Sequence, residues 1–278
     1  MDEKIIGRLV CPCCGEKMNI NESQGSLVCQ APKKHCFDIA SAGYVNLSVS
    51  HSGGGDSKEA VRSRTEFLDS RSYEAVSDAV NAVLSDYLSS GDLVIDAGCG
   101  EGYYSCRAAS NGFCVAGFDL SKEAVAYAGK RAKRDRLANT FFGVASVFSL
   151  PMADGSADAV VNIFAPCVES EYCRVLKDGG ILAVAYAGRE HLMGLKRHIY
   201  DNVYENELRS DMPKEMELLE ERRVRYSIEL TSQSLISALF AMTPYYWRTS
   251  PEDKDKLTSL TSLRTEVDII IAIYRKNG

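Results

Sequence analysis

The feature that most constrains how this chain folds is a cluster of cysteines near its start. Five of the ten cysteines and one histidine lie within residues 11–36, in CPCCGEKMNINESQGSLVCQAPKKHC. A segment this polar has no apolar core in which to bury so many thiols, whereas tetrahedral zinc needs four nitrogen or sulfur ligands. The spacing Cys11-x2-Cys14 followed by Cys29-x5-His35 therefore predicts a zinc site in a small module that folds around its metal.

The residues between the two ligand pairs predict a hairpin. The segments MNIN and SLV carry apolar residues on either side of the polar turn ESQG, so the second ligand pair would return beside the first. Cys13 and Cys36 each stand next to a predicted ligand, and either could replace one. The identity of the four ligands is open at this point.

Composition and the N-terminal residues indicate a cytoplasmic protein without a membrane partner. The start, MDEKIIGRLV, is charged where a secretory signal would be apolar, and no stretch approaches the roughly 20 apolar residues of a membrane span. In the cytoplasm thiols stay reduced, so clustered cysteines favour metal over disulfides. The net charge of -6 gives no general indication of nucleic-acid binding, which would need a local basic surface.

Beyond residue 90, strand patterns alternate with helix patterns. Strands are predicted at 93–95, 113–118, 139–146, 157–164 and 181–188, and the run EVDIIIAIYRK is expected to close the sheet. Helix patterns include SKEAVAYAGKRAK and ESEYCRVLKDGG, the second ending at its glycines. Such alternation implies right-handed crossovers and an α/β fold with a doubly wound, parallel sheet.

These patterns divide the chain into three predicted segments. We expect a zinc-binding module over residues 1–47, a Ser/Gly/His-rich linker over 48–58 and a main domain over 59–278. The main domain would begin with one or two helices. The single tryptophan, in MTPYYWRTSPE, is expected in the core or in a pocket wall.

A glycine-rich loop follows the first predicted strand of the main domain. Gly98, Gly100 and Gly102 have the spacing G-x-G-x-G, and Asp96 stands two positions before the first of them. A strand–loop–helix unit of this kind lets a ligand approach the backbone at a helix N-terminus. The spacing differs from the G-x-G-x-x-G of dinucleotide-binding folds and suits a cofactor without a pyrophosphate.

The second strand ends in Asp119, about 20 residues beyond the glycines. A carboxylate there can accept hydrogen bonds from both hydroxyls of a ribose. The alternative is a cap for the following helix, a role that Ser121 could fill equally well.

These motifs resemble class I S-adenosylmethionine-dependent methyltransferases, which have a Rossmann-like sheet. The resemblance rests on D-x-G-x-G-x-G, the acidic end of the second strand, and LPMADGSADAVVNIFAP followed by VLKDGG. With CPCC…LVC…HCFDIASAGYVNL, RTEFLDSRSY, FAPC and R-x-H-L-M-x-L-K-x-x-I-Y at 189–200, the chain resembles bacterial 23S ribosomal RNA guanine-N1-methyltransferases over nearly its whole length. The resemblance implies transfer of a methyl group from S-adenosylmethionine to a guanine in an RNA stem-loop, by a homodimer.

The resemblance also implies roles for particular residues. Zinc would be held by Cys11, Cys14, Cys29 and His35. The cofactor site would comprise Tyr73, Asp96, Gly98, Gly100, Glu101, Gly102, Asp119 and His191. The RNA would be contacted by Phe164, Pro166, Lys33, Lys34, Arg62 and Arg64, while Cys167 packs and no residue is singled out as the catalytic base.

Other functions are compatible with parts of the sequence. A class I methyltransferase acting on another RNA or on a small molecule would share the glycine loop, but a small-molecule enzyme has no need of a zinc module. A non-catalytic RNA-binding protein of the same fold is a further alternative, against which the intact glycine loop and Asp119 argue. For an NAD-dependent oxidoreductase the glycine spacing is wrong.

Overall fold

The N-terminal segment forms a small unit built on a three-stranded antiparallel sheet. The computed structural model describes residues 2–49 and 55–278, so part of the linker predicted at 48–58 lies outside the described residues. The elements of this segment are α1 (Glu3–Ile6), β1 (Met18–Asn21), β2 (Ser26–Cys29), β3 (Cys36–Asp38) and β4 (Val45–Asn46). β1 and β2 pair antiparallel as the predicted hairpin, and β3 adds to the free edge of β2.

The first half of the main domain has the predicted alternation of helices and strands. Its elements are α2 (Lys58–Asp69), α3 (Glu74–Tyr87), β5 (Leu93–Ala97), α4 (Tyr103–Ser110), β6 (Cys114–Asp119), α5 (Lys122–Arg134) and β7 (Thr140–Val144). β5 and β7 are buried along their whole length, which is why both read as unbroken apolar runs.

The second half adds the remaining strands. Its elements are β8 (Ala157–Ile163), α6 (Glu169–Val175), β9 (Leu176–Ala187), α7 (Met193–Ile199), β10 (Glu217–Leu230), α8 (Gln233–Ala241), α9 (Tyr245–Arg248), α10 (Pro251–Thr258) and β11 (Leu263–Arg275). The helix predicted over ESEYCRVLKDGG ends earlier than expected, at Val175, because Leu176 is already extended and begins β9.

Eight strands form one sheet in the order β10-β11-β9-β8-β5-β6-β7-β4. The strands from β9 to β4 are parallel, which confirms the doubly wound α/β fold, and β11 inserts antiparallel between β9 and β10. The C-terminal strand was expected to close the sheet, but β10 is the edge strand. β4 lies inside the segment predicted as the zinc module, yet it forms the other edge of this sheet.

Successive side chains of the central strands enter two different cores, as the pleat of a sheet requires. Val94 belongs to the core that also contains residues of α3 and α8, whereas Leu93 and Ile95 belong to the core on the opposite face. That second core includes Leu9 and Met18 of the N-terminal segment, so the zinc-binding unit covers one face of the sheet. Within the described residues, no helix is both long and apolar enough to cross a bilayer.

Candidate active site

A cleft of about 940 Å³ opens at the carboxyl ends of the central strands. Crossover connections of a parallel sheet leave a crevice at this edge, where such folds bind ligands. Ten residues predicted for the site line the cleft: Arg64, Tyr73, Asp96, Gly98, Gly100, Glu101, Asp119, Phe164, Pro166 and His191. Four others are not among the lining residues: Gly102, Arg62, Lys33 and Lys34.

The glycine loop has the backbone conformation that its residues predict. Gly98 has a φ of 89°, and a Cβ atom there would lie 2.6 Å from the Cβ of Ala165, so only glycine fits. Gly102 also has a positive φ, 78°, but a Cβ there would lie 2.7 Å from the Cβ of Ala128 on α5. Gly102 therefore allows two helices to pack, and its place in the predicted cofactor site is indirect.

Buried carboxyl groups give the cleft an acidic wall. Asp96 accepts a hydrogen bond from Ser105 Oγ at 2.5 Å, and burial raises its pKa to about 7. Burial also raises the pKa values of Glu101 and Asp119. Such a wall suits a ligand that brings a positive charge and hydroxyl donors, as S-adenosylmethionine does with its sulfonium and ribose.

Asp119 fixes the glycine loop instead of capping the next helix. Its Oδ2 accepts from the Gly100 amide at 3.1 Å and its Oδ1 from the Ser121 amide at 2.7 Å. The cap of α5 is Ser121, whose side chain accepts from Ala124 N at 3.3 Å. Each carboxylate oxygen retains acceptor capacity, so Asp119 is free to serve the cleft as well.

His191 and Tyr73 form a buried pair in the wall of the cleft. His191 Nε2 lies 3.1 Å from the Tyr73 hydroxyl, and His191 Nδ1 accepts from the Asp268 amide at 3.3 Å. Burial lowers the pKa of His191 to about 4, so the ring is neutral near pH 7. Because Nδ1 accepts, the hydrogen-bond network assigns the proton to Nε2, so the Tyr73 hydroxyl accepts from His191 and retains its own proton for another acceptor.

The FAPC segment, residues 164–167, lies next to the glycine loop and His191 in the wall of the cleft. Phe164 has a φ of 55°, and its ring is 45% exposed and stacks against His191 with 6.3 Å between the ring centroids. The Ala165 carbonyl accepts from Arg209 at 2.9 Å, and the Pro166 carbonyl accepts from Asn162 at 2.8 Å. The segment is therefore held rigidly from behind.

Cys167 ends the FAPC segment and is partly buried. Burial raises the pKa of its thiol to about 11, so the group is protonated near neutral pH. A protonated thiol is a weak nucleophile, which agrees with the packing role predicted for it.

Part of the cleft wall was missed in the sequence. Lys196 Nζ lies 5.2 and 5.1 Å from the ring centroids of Tyr204 and Tyr245, and it donates to the Tyr204 carbonyl at 3.1 Å. Burial lowers the pKa of Lys196. These residues come from three separate segments, so no local pattern joins them. The one available signal was Lys196 itself, within R-x-H-L-M-x-L-K.

The zinc-ligand candidates meet at one point. The ligand atoms of Cys11, Cys14, Cys29 and His35 all lie within 4.8 Å of one another. Cys14 Sγ and Cys29 Sγ are 3.8 Å apart, close to the edge of about 3.8 Å expected for a tetrahedron with zinc–sulfur distances near 2.3 Å. The donor set therefore fits zinc.

A hydrogen bond from the backbone favours the thiolate form of Cys29, the form that binds a metal. The His35 amide donates to Cys29 Sγ at 3.2 Å and lowers the pKa of that thiol to about 6, which favours the thiolate. Cys13 and Cys36, the alternative ligands, are exposed and lie outside the group.

Comparison with known proteins assigns the main domain. The family model described as "Methyltransferase domain" matches residues 88–243, more than half of the chain. The chain belongs to this methyltransferase family. A second family model, a zinc ribbon described as "RlmA, N-terminal", matches residues 9–50. The predicted methyltransferase enzyme and its two cofactors, S-adenosylmethionine and zinc, are confirmed at the level of the family, while the residues that hold them stay predictions.

Curated relatives match over nearly the full length. The "23S rRNA (guanine(748)-N(1))-methyltransferase" of Streptomyces fradiae is 29% identical over 91% of this chain and 90% of its own. The "Putative 23S rRNA (guanine-N(1)-)-methyltransferase" of Micromonospora griseorubida is 27% identical over 99% of this chain and 98% of its own. The "Malonyl-[acyl-carrier protein] O-methyltransferase" of Pectobacterium atrosepticum is 33% identical over 34% of this chain and 39% of its own.

Proposed function

We propose that the protein transfers a methyl group from S-adenosylmethionine to N1 of a guanine in a stem-loop of 23S ribosomal RNA. The observation that carries this proposal is that one sheet bears both parts: the zinc ribbon packs on one of its faces, and the methyltransferase cleft opens at the ends of its strands. Relatives named for this activity match across both parts, whereas the O-methyltransferase relative matches over about a third of the chain. A ribosomal RNA substrate would place the protein in the cytoplasm.

On the cofactor side of the cleft, acidic side chains and the glycine backbone are proposed to bind S-adenosylmethionine. When bound, S-adenosylmethionine supplies an electrophilic methyl group on a sulfonium. Asp119 would accept from the ribose hydroxyls, and the bare backbone of Gly98 and Gly100 would admit the cofactor closely. The positive charge of the bound cofactor would favour the ionised forms of Asp96 and Glu101, which would offset it. The Tyr73 hydroxyl, oriented by His191, would donate to an acceptor on the cofactor.

The acceptor side is proposed to hold a single base that has left its stack. Phe164 offers a partly exposed ring beside the cofactor residues, and guanine can stack on such a face. The Arg209 and Asn162 hydrogen bonds keep the FAPC backbone in place, so the ring is positioned before the RNA binds. A fixed geometry of this kind lowers the cost of aligning the nitrogen with the methyl group.

Basic side chains outside the cleft are proposed to contact the RNA backbone. Lys33 and Lys34 are exposed on the zinc ribbon, and Arg62 is exposed on α2. Arg64 differs, because it lies in the cleft and forms an ion pair with Asp56, so it would order the cofactor side. We further propose a homodimer in which two copies share one RNA cleft.

The test is methylation of RNA transcripts by the purified protein with radiolabelled S-adenosylmethionine. A 23S rRNA stem-loop with an unpaired guanine should accept one methyl group, and digestion should yield N1-methylguanosine. Since a methyl on N1 blocks Watson–Crick pairing, primer extension should stop at one position. Replacing that guanine with adenine should abolish both signals.

Two controls separate the parts of the proposal. An Asp119→Ala variant should need a higher concentration of S-adenosylmethionine for methyl transfer, because the proposed ribose contact is gone. If the wild-type protein binds S-adenosylmethionine yet methylates neither the stem-loop nor full-length 23S rRNA, the cofactor site stands and the proposed substrate is wrong.

A further inference from the structure

Trp247 lies at the rim of the cleft with its ring in solvent. It is the single tryptophan of the chain and is 76% exposed, so the expectation of a core or pocket-wall position is wrong. Its neighbours Pro244, Tyr245 and Arg248 line the cleft. An indole ring left open on an ordered helix exposes apolar area that a ligand could cover.

The backbone beneath this ring is fixed from two sides. The Tyr245 hydroxyl donates to Asn206 Oδ1 at 2.6 Å, and Thr249 Oγ1 lies 3.0 Å from the Tyr200 hydroxyl. The Tyr246 ring packs edge-on against Trp247 with 5.2 Å between the ring centroids. The backbone on either side of Trp247 is therefore fixed before any partner arrives, so little backbone entropy would be lost on binding.

Two cationic side chains lie close to the aromatic group of Tyr246 and Trp247. Arg248 is exposed and has no ion-pair partner among residues 2–49 and 55–278. Lys254 Nζ lies 4.1 Å from the Tyr246 ring centroid, on the far side of the same aromatic group. Aromatic rings flanked by cations bind single-stranded nucleic acid, the ring stacking on a base and the cation contacting a phosphate.

From this geometry we infer that Trp247 is a stacking platform for an unpaired nucleotide adjacent to the target guanine, with Arg248 contacting its phosphate. The inference rests on the proposed function, because Trp247 adjoins residues that line the cleft proposed to take the guanine. A nucleotide held at the rim would anchor the RNA loop while its neighbour enters the cleft.

Fluorescence tests the platform directly, because all tryptophan emission of the protein comes from Trp247. Titration with the stem-loop RNA should quench this emission with the same midpoint as a gel-shift titration. S-adenosylmethionine alone should leave most of the emission in place.

Substitution gives the second readout. Trp247→Ala should raise the KM for the stem-loop between about 5-fold and about 100-fold and leave the affinity for S-adenosylmethionine within twofold. Trp247→Phe should restore most of the loss, since a phenyl ring still stacks. The matched control is Leu218→Ala, which removes an exposed apolar side chain that does not line the cleft.

The outcomes separate this inference from the function on which it rests. If the wild-type protein methylates and binds the stem-loop but its emission is unchanged and Trp247→Ala has a normal KM, the platform is wrong and the proposed function stands. If the wild-type protein methylates neither a 23S stem-loop nor full-length 23S rRNA, both are wrong.

Discussion

At the scale of single residues, the side chain of Asp119 both binds backbone amides and faces the proposed cofactor site. Its carboxylate holds the amides of Gly100 and Ser121, and it faces the cleft at the end of β6. Asp119→Ala should weaken S-adenosylmethionine binding by about tenfold to a hundredfold, because hydrogen bonds to a charged acceptor and the fixed position of the glycine loop are lost together. Isothermal titration calorimetry measures this change.

The matched control for Asp119 is Asp178→Ala. The Asp178 side chain is 77% exposed and pairs with Lys276 at 3.2 Å on the surface, so its removal should leave the affinity unchanged. Equal affinities for the Asp119→Ala variant and the wild-type protein would remove Asp119 from the proposed ribose site.

His191 predicts a pH dependence of stability. Its pKa of about 4 in the folded protein lies below the ordinary 6.5 because burial disfavours the imidazolium. Between these values the unfolded chain binds more protons than the folded one, so stability is lost as the pH falls from about 6.5 toward 4. The wild-type protein should lose about 2 kcal/mol from pH 7 to pH 5 through this group alone.

Comparison with His191→Gln isolates that contribution. Other titrating groups are common to both proteins and cancel in the difference between their unfolding free energies. Urea unfolding at pH 7 and pH 5 should show the stability advantage of the wild-type protein shrinking by about 2 kcal/mol. A constant difference would mean that His191 is not a neutral buried group.

At the scale of elements, the irregular segment 200–216 between α7 and β10 positions the FAPC segment. Arg209 donates to Asn162 Oδ1 at 3.1 Å and to the Ala165 carbonyl at 2.9 Å. Lysine cannot make both bonds in this geometry, so Arg209→Lys should loosen the loop that carries Phe164. We expect kcat for RNA methylation to fall by about tenfold or more, with the dissociation constant of S-adenosylmethionine unchanged.

The control for Arg209 is a surface arginine on β11. Arg275 lies 4.0 Å from Glu217 in an exposed pair, and Arg275→Lys should leave kcat as it is. A fall in cofactor affinity for Arg209→Lys would show that the residue supports the cofactor side of the cleft instead.

Burial decides which elements could be predicted from the sequence. β5 and β8 are almost fully buried and read as apolar runs, and the glycine loop follows from its spacing. β10, in ELLEERRVRYSIEL, was missed because it lies at the sheet edge and most of its exposed positions carry charges. The Lys196–Tyr204–Tyr245 wall was missed because its residues meet only in the folded chain, so no local period reveals them.

At the scale of the whole molecule, the zinc ribbon and the methyltransferase domain share one core. Leu9 forms an isolated bridge with Met152, and the amide of Val10 donates to the Pro151 carbonyl at 3.0 Å. Leu27 of the hairpin is fully buried in the core that also contains Ile95 of β5. The ribbon therefore protects one face of the sheet from water in addition to any contact that it makes with RNA.

Shared burial predicts that zinc removal destabilises the entire chain. Without the metal, nothing joins the four ligand side chains, so the ribbon unfolds. Its unfolding exposes the apolar face of the sheet beneath it. A loss of about 4 kcal/mol lowers the Tm of a chain of this size by roughly 10 °C. Calorimetry after chelation, or of Cys11→Ser, should therefore show one transition at lower temperature, with the Tm of the main domain shifted along with the ribbon.

Cysteines outside the cluster provide the control for this prediction. Cys13→Ser and Cys36→Ser change exposed thiols beside the proposed ligands, so both variants should retain one zinc per chain and the wild-type Tm. Chelation that produced a separate low-temperature transition, with the main transition unmoved, would show that the ribbon folds apart from the sheet. The burial of Leu9 and Leu27 argues for a single transition. Both side chains belong to the ribbon and share a core with the main sheet, so unfolding of the ribbon also exposes the sheet.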